Sequence, residues 1–166
     1  MKYKGQKELY QFFEEHHISF QYYGHKEAGT IEQALEVWKG IEAAKCKNIF
    51  FRNHKGNQHY LVILEHTRQL DIHQLEKNLK QGKLTFASGK RLLHHLGVTP
   101  GSVSPFGLIH DKDKHVVVFI DKVLEEAERI SFHPNDNRAT VVVSNHDFKK
   151  FLNLCGNKFE YIELYT

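Results

Sequence analysis

Lys47 and Asn48 are the first residues in the chain whose types and position suggest chemistry. They begin an apolar run, residues 49–51, that has the composition of a buried strand. A lysine at the start of such a strand lies at a sheet end, where it can hold a phosphate or a carboxyl oxygen, and the neighbouring amide adds direction. A solvated strand end would show the same pattern, so the pair is a candidate binding site.

A second candidate is the segment PGSVSPFG at residues 100–107, with two prolines and two glycines around small hydroxyls. Such a loop is stiff, and its backbone N–H groups can face an anionic or polarised oxygen. The N–H donors in question belong to Gly101, Ser102, Val103 and Ser104, and Pro105 closes the segment. A rigid connection without function is the alternative interpretation.

The third candidate is His133, which precedes Pro134 and is therefore biased towards an extended conformation. Asn135, Asp136 and Asn137 follow, and their side chains favour turns. A histidine held in this way either meets a ligand or ties the loop, and the sequence leaves both roles open.

Metal and thiol chemistry find less support. The thirteen histidines show no HExxH motif and no pair four residues apart beside a carboxylate, so we expect no metal site. Cys46 lies between two lysines, but strand alternation turns it to the opposite face, where it serves as a small core residue. Cys46 and Cys155 form neither a disulfide framework nor a metal box.

Length and composition predict one globular domain spanning residues 1–166, cytoplasmic and without a signal peptide or membrane span. The net charge is +3, but it is unevenly distributed. Residues 38–95 contain eleven Lys or Arg and four Asp or Glu, whereas the remainder is acidic. A concentrated basic region is typical of a phosphate-rich partner, although a solvated lysine-rich surface has the same composition.

Apolar periodicity and capping residues predict an interleaved series of elements. Helices are expected over residues 5–17, 31–39, 72–80, 89–96 and 145–155, and a loop over 97–108. Strands are expected over residues 18–23, 47–53, 58–66, 84–86, 116–121, 128–132, 139–144 and 159–165, with a hairpin between the second and third. The predicted fold class is mixed α/β, with a central mixed, partly barrel-like β-sheet surrounded by helices.

An ordered series of segments resembles a known family. KNIFFRN, KGNQHYLVIL, KLTFAS, LGVTPGSVSPFGLI, VVVFID and FHPNDNRATVVV follow one another between about residues 20 and 155. Together they resemble the YbaK-like aminoacyl-tRNA editing domains, most closely the ProXp-ala or PrdX branch, free-standing relatives of the editing domain in bacterial prolyl-tRNA synthetase. The resemblance implies a small mixed sheet, partly barrel-like and wrapped by helices.

The same resemblance implies trans-editing, that is, hydrolysis of the ester of a mischarged tRNA for proline, with alanine as the amino acid removed. Two alternatives remain open: a deacylase for cysteinyl-tRNA, and a non-catalytic domain that binds tRNA or an amino acid for regulation. The implied partners are the acceptor end of tRNA(Pro) and prolyl-tRNA synthetase, with no membrane and no cofactor.

Matching the motifs residue by residue assigns expected roles. Lys47 corresponds to the essential lysine of the family and Asn48 to the asparagine after it, and His133 corresponds to the histidine of the HPN segment. Lys47 would anchor the terminal phosphate or ester, Asn48 would orient it, the N–H groups of residues 101–104 would receive the oxyanion or position water, and His133 would shape the pocket.

Two positions depart from the family pattern. Lys83 stands where this branch usually has arginine, which keeps the charge but loses the bidentate geometry. His25 is followed by Lys26 rather than by proline, which leaves the identity of the removed amino acid open. Both are still expected to bind substrate, and Lys80, Lys90 and Arg91 are expected to join Lys83 in gripping the acceptor stem.

Overall fold

The computed structural model describes residues 3–27 and 30–164 of the chain. The helices among them are α1 Lys7–Glu15, α2 Ile31–Trp38, α3 Ile72–Leu79, α4 Gly89–Leu96 and α5 Asn145–Cys155, with 3₁₀ helices at Pro105–His110 and Lys122–Glu126. The strands are β1 Gln21–Gly24, β2 Cys46–Asn53, β3 His59–Glu65, β4 Leu84–Phe86, β5 Val117–Asp121, β6 Arg129–Phe132, β7 Ala139–Ser144 and β8 Phe159–Ile162.

Short polar side chains determine where four of the helices begin. The Thr30 hydroxyl accepts from the Gln33 N–H, and the Gln33 side-chain oxygen accepts from the Thr30 N–H. These two bonds form a capping box at α2. The same N-cap contact is made at α3, α4 and α5 by Asp71, Ser88 and Ser144. These starts agree with the predicted ones because the N-cap bond is local and is read directly from the sequence.

The strands form two sheets. One is antiparallel with the order β1-β7-β6, and the other has the order β4-β2-β3-β5-β8. In the larger sheet β4, β2 and β3 are antiparallel, whereas β3, β5 and β8 are parallel. The predicted mixed α/β class is confirmed, and in the described residues the strands make two sheets rather than one closed barrel.

Both faces of the larger sheet are buried. Phe50, Leu61 and Ile63 face a core shared with α1, α4, α5 and the smaller sheet. Phe51 and Val62 face a second core, which α3 covers with Leu75 and Leu79. Burial on both faces explains why β3 is an almost continuous apolar run instead of an alternating one.

One parallel bridge joins the two sheets next to the start of β2. The Ala44 N–H donates to the Arg129 carbonyl (2.9 Å), and the Ser131 N–H donates to the Ala44 carbonyl (3.0 Å). The first residues of β2 are therefore held beside β6, and a gap between the sheets opens at this point.

Several predicted boundaries were wrong. The first helix, predicted over residues 5–17, is Lys7–Glu15. The first strand begins at Gln21 instead of 18, because the Ile18 N–H still closes the end of α1 on the Phe13 carbonyl (2.9 Å). The predicted loop contains a 3₁₀ helix, which Pro105 begins and the Ser104 side chain caps. The last strand ends at Ile162, and Tyr165 lies outside the described residues. No helix among residues 3–27 and 30–164 is long and apolar enough to span a membrane.

Replacing Gly107 with alanine should destabilise the fold. A Cβ at this position would lie 2.6 Å from the Leu96 carbonyl oxygen and 2.9 Å from the Leu96 Cβ, where the 3₁₀ helix packs on α4. Overpacking against backbone costs roughly 2–3 kcal/mol. Urea unfolding of Gly107→Ala should show this loss, while Gly40→Ala, whose Cβ would have nothing within 4 Å, should change stability by less than about 0.5 kcal/mol. Equal stabilities for the two variants would contradict the packing argument.

Candidate functional site

A cavity of about 380 Å³ lies between the start of β2, helix α2 and the loop that begins at residue 97. Its walls combine apolar side chains with a few polar groups, the usual composition of a small-ligand site. The lining residues are Thr30, Ala34, Trp38, Cys46, Lys47, Asn48, Ile49, Leu70, Gly101, Val103 and His133.

Lys47 is held at this cavity by a backbone carbonyl. Its Nζ donates to the Arg68 carbonyl oxygen at 2.7 Å, which leaves two of the three ammonium donors for other partners. The Arg68 Nε lies 3.2 Å from Asp121 Oδ2, and Asp121 is only 2% exposed, so this turn is fixed to the end of β5. No carboxylate neutralises Lys47 directly among the ion pairs of the described residues.

Asn48 presents an unsatisfied acceptor. Its Oδ1 is buried and, within the described part of the chain, has no hydrogen-bond partner. A buried acceptor without a partner costs about 1–3 kcal/mol, and a ligand that supplies a donor would relieve this cost. Cys46, its neighbour but one, is buried as strand alternation predicts, and burial raises the pKa of its thiol.

The loop reaches the cavity through Gly101 and Val103 and not through its serine hydroxyls. Gly101 has φ +92°, a left-handed conformation that glycine adopts without strain, and it reaches the cavity wall together with Val103. The Ser102 N–H already donates to Thr99 O (3.1 Å), and the Ser102 hydroxyl accepts from the Asn137 N–H (3.1 Å). Ser102 therefore builds the loop and has no N–H to offer a ligand.

Ser104 and Pro105 are likewise buried away from the cavity wall. The Ser104 hydroxyl accepts from the Phe106 N–H at 3.1 Å and caps the 3₁₀ helix. Of the predicted loop donors, the Gly101 and Val103 segment is thus the part that faces the cavity.

His133 lies on the cavity wall, and it also borders a recess of about 20 Å³. The recess is enclosed by Trp38, Cys46, Asn48, Ser131, Phe132, His133 and Thr140. A volume of this size holds a single water-sized group. Because four of these residues also line the larger cavity, the recess is a side chamber of it.

His25 lies behind this side chamber. Its Nε2 is 2.9 Å from the Thr140 hydroxyl, and its ring centroid is 6.3 Å from that of His133. His25 therefore supports Thr140 and His133, two residues of the recess wall, instead of lining the cavity.

Lys83 is not near the cavity. It is exposed and adjoins Leu84, which pairs with Asn53 at the far end of β2. Six strand residues separate Lys47 from Asn53, about 20 Å. Lys83 and Lys47 are therefore too far apart to contact the same small group.

Helix α2 and the Arg68 turn are parts of the site that the sequence did not reveal. Trp38, Ala34 and Thr30 come from an amphipathic helix without any motif, and Leu70 comes from a loop. The only usable signal was Trp38, the single tryptophan of the chain, at the end of a short helix.

The protonation of His133 should make stability pH-dependent. Burial lowers its pKa, and the ring donates from Nδ1 to the Ala139 carbonyl (2.8 Å), so it is neutral at pH 7. In the unfolded chain the pKa of histidine is about 6.5, which is above the pKa of His133 in the folded protein. The unfolded state therefore takes up more protons, and the free energy of unfolding falls as the pH drops below about 6.5. Chemical denaturation between about pH 7.5 and pH 5 should show a smaller loss for His133→Gln than for wild type. Equal losses would mean that His133 does not contribute.

Residues 25–151 match the model of the aminoacyl-tRNA editing domain. The prolyl-tRNA editing protein ProX of Acetoanaerobium sticklandii is 40% identical over 149 residues, covering 89% of this chain and 90% of that protein. The prolyl-tRNA synthetase associated domain-containing protein 1 of Mus musculus is 33% identical over 137 residues, with 80% of each chain covered.

Solved structures show the same fold. A crystal structure of a candidate trans-editing enzyme for prolyl-tRNA synthetase aligns with a TM-score of 0.67 at 21% identity, covering 93% of this chain and 94% of that one. A hypothetical protein aligns with a TM-score of 0.71 at 14% identity, covering 94% and 99%. The family model matches residues 25–151, which is most of the chain and includes the residues of the cavity wall. The chain therefore belongs to the aminoacyl-tRNA editing domain family, as its motifs predict.

Proposed function

We propose that this protein is a trans-editing deacylase that hydrolyses alanyl-tRNA(Pro). The observation that carries the proposal is that one cavity with a small side chamber is lined by the predicted site residues Lys47, Asn48, Gly101, Val103 and His133. The 40% identity to a prolyl-tRNA editing protein supports tRNA(Pro) as the tRNA part of the substrate.

The reaction requires little catalytic machinery. A water oxygen attacks the ester carbonyl carbon, and the bond from that carbon to the ribose oxygen breaks. The ribose oxygen takes up a proton that the attacking water gives up. The ester is already activated, so stabilising the tetrahedral oxyanion and placing the water suffice. A hydroxyl of the terminal ribose can assist the water, which is consistent with the absence of a carboxylate from the cavity lining among the described residues.

Lys47 is suited to hold the terminal phosphate or the ester oxygen. Its Nζ is fixed by the Arg68 carbonyl, so the ammonium group is already positioned before substrate binds. Asn48 would orient the same end, and the unsatisfied Oδ1 is suited to accept from the substrate ammonium or a ribose hydroxyl.

Selection of alanine would be by size. The recess of about 20 Å³ accommodates a methyl group, and the ring of proline exceeds it. Steric exclusion is a stronger filter than the loss of one methylene contact, which is worth only about 1–3 kcal/mol. Cysteine remains a competitor because its side chain is only one heavy atom longer than that of alanine.

The acceptor stem would lie on the basic region of residues 38–95. Lys80, Lys83 and Lys90 are exposed there, and Lys83 lies far enough from Lys47 to meet the stem while Lys47 meets the 3′ end. Arg91 was predicted to join them, but its guanidinium is engaged by the Gly56 carbonyl (2.8 Å) and His59 (3.0 Å). The proposed stem contacts are therefore the three lysines.

A deacylation panel tests the proposal. Alanyl, cysteinyl and prolyl esters of tRNA(Pro), and alanyl-tRNA(Ala), would be incubated with the enzyme, and the released amino acid measured over time. We expect alanyl-tRNA(Pro) to be cleaved fastest and the prolyl ester to persist. Preferential cleavage of the cysteinyl ester would overturn the alanine assignment, and salt-sensitive tRNA binding without any cleavage would indicate the regulatory alternative.

A further inference from the structure

Three histidines from separate elements meet at the end of the larger sheet remote from the cavity. His59 begins β3, His95 lies in the last turn of α4, and His115 precedes β5. One ring nitrogen from each lies within 4.8 Å of the other two. His59 is 2% exposed, and five strand residues, about 17 Å, separate it from Leu64, the partner of Lys47.

The hydrogen bonds of His59 fix the position of its proton. Arg91 Nη1 lies 3.0 Å from His59 Nε2, and because a guanidinium only donates, Nε2 must be the acceptor. The His59 proton is then on Nδ1, which lies 2.9 Å from His115 Nε2. Two ring nitrogens thus share one proton at a point where three imidazoles converge.

We propose that His59, His95 and His115 bind one Zn²⁺ ion, with water at the fourth position. Imidazole nitrogen is a preferred zinc ligand, and three protein ligands with an open fourth position form a known type of tetrahedral site. Metal binds the neutral form of an imidazole, and the bond that His59 Nε2 accepts from Arg91 requires His59 to be neutral.

The rearrangement that the ion needs is small. Zinc–nitrogen bonds of about 2.0–2.1 Å place tetrahedral ligand nitrogens roughly 3.4 Å apart, between the observed 2.9 Å and 4.8 Å limits. The rings of His95 and His115 are stacked at 15°, so the His95 ring must rotate to point at the ion. Both residues are partly exposed, which leaves space for that rotation.

Arg91 should lower the affinity of this site for Zn²⁺. Zinc at His59 Nδ1 moves the His59 proton to Nε2, where it faces the Arg91 donor, and Arg91 keeps only its bond to the Gly56 carbonyl. In Arg91→Gln the amide oxygen can accept that proton and the positive charge is absent. This variant should bind Zn²⁺ more tightly than wild type, by about tenfold.

Isothermal titration with Zn²⁺ alone tests the site, with melting curves recorded for every variant to verify folding. Wild type should bind one ion per chain and gain thermal stability, because the ion binds only the folded cluster. His95→Gln and His115→Gln should weaken binding at least tenfold, whereas His73→Gln, whose side chain is 97% exposed on α3, should not. Co²⁺ should give the visible absorption of a tetrahedral ion in wild type and lose it in His115→Gln.

The proposal is overturned if His95→Gln and His115→Gln titrate like wild type, if several weak ions bind without one-to-one stoichiometry, or if Arg91→Gln weakens binding. His59 is left unchanged because its burial makes a substitution prone to unfolding. The site does not depend on the proposed deacylase activity, since none of its readouts measures ester cleavage.

Discussion

Lys47→Ala is expected to lower the rate of alanyl-tRNA(Pro) deacylation by about 10²–10³-fold, the usual cost of removing one preorganised donor from an oxyanion or phosphate site. The fold should persist, because the substitution removes a single hydrogen bond, from Nζ to the Arg68 carbonyl. That bond is worth about 1 kcal/mol. Single-turnover kinetics with excess enzyme would measure the chemical step directly.

A matched control separates the role of Lys47 from the loss of one positive charge. Lys122→Ala removes an exposed lysine after β5, outside the cavity and outside the basic region, and should deacylate at the wild-type rate. The affinity of Lys47→Ala for tRNA should fall only slightly, since the proposed stem contacts are Lys80, Lys83 and Lys90. A Lys47→Ala rate within threefold of wild type would refute the assignment of the site.

Asn48→Leu should have opposite effects on stability and on activity. Leucine has nearly the shape of asparagine but carries no polar atoms, so it removes the buried, unpartnered Oδ1. Relief of an unsatisfied acceptor should stabilise the fold by about 1–2 kcal/mol, or a few degrees in Tm. Deacylation should fall by roughly 100-fold, because the substrate loses the group that orients it.

Asn157→Leu provides the contrast. The Asn157 Oδ1 is also buried without a partner among the described residues, but its Nδ2 donates to Asp111 Oδ2 (2.8 Å) and to the Val116 carbonyl (2.9 Å). Asn157→Leu therefore breaks two buried bonds that Asn48 does not have. It should destabilise the protein by about 1–2 kcal/mol after relief of the acceptor is counted, without changing the deacylation rate of the folded protein. If Asn48→Leu lost stability as Asn157→Leu does, the unsatisfied acceptor would not be a feature of the folded protein.

Local interactions explain what could be predicted from the sequence. The β2–β3 hairpin, the helix starts at Thr30, Asp71, Ser88 and Ser144, and the left-handed ends at Gly97 and Gly156 all depend on residues a few positions apart. Lys47, Asn48 and His133 were singled out for the same reason, because each sits beside a strand boundary or a proline.

Long-range packing explains what could not be predicted. The cavity needs α2, residue Leu70 after the Arg68 turn, and His133, which lie far from Lys47 in the sequence and meet it only in the folded protein. The cluster of His59, His95 and His115 was overlooked because metal motifs are recognised by short spacing, and these residues are separated by 36 and 20 positions. Lys83 was assigned to the site from its motif alone, whereas the register of β4 with β2 puts it about 20 Å from Lys47.

The topology of the larger sheet also sets an order of events during folding. The β2–β3 hairpin closes over a five-residue connection, whereas the parallel pairing of β3 with β5 joins Tyr60 to Val117. Short closures are entropically cheaper and faster, so the hairpin should be an early nucleus and the parallel register should form late. Lys47 would then lie on a preformed hairpin before residues 101–133 arrive, and the cavity would be completed only in the last steps of folding.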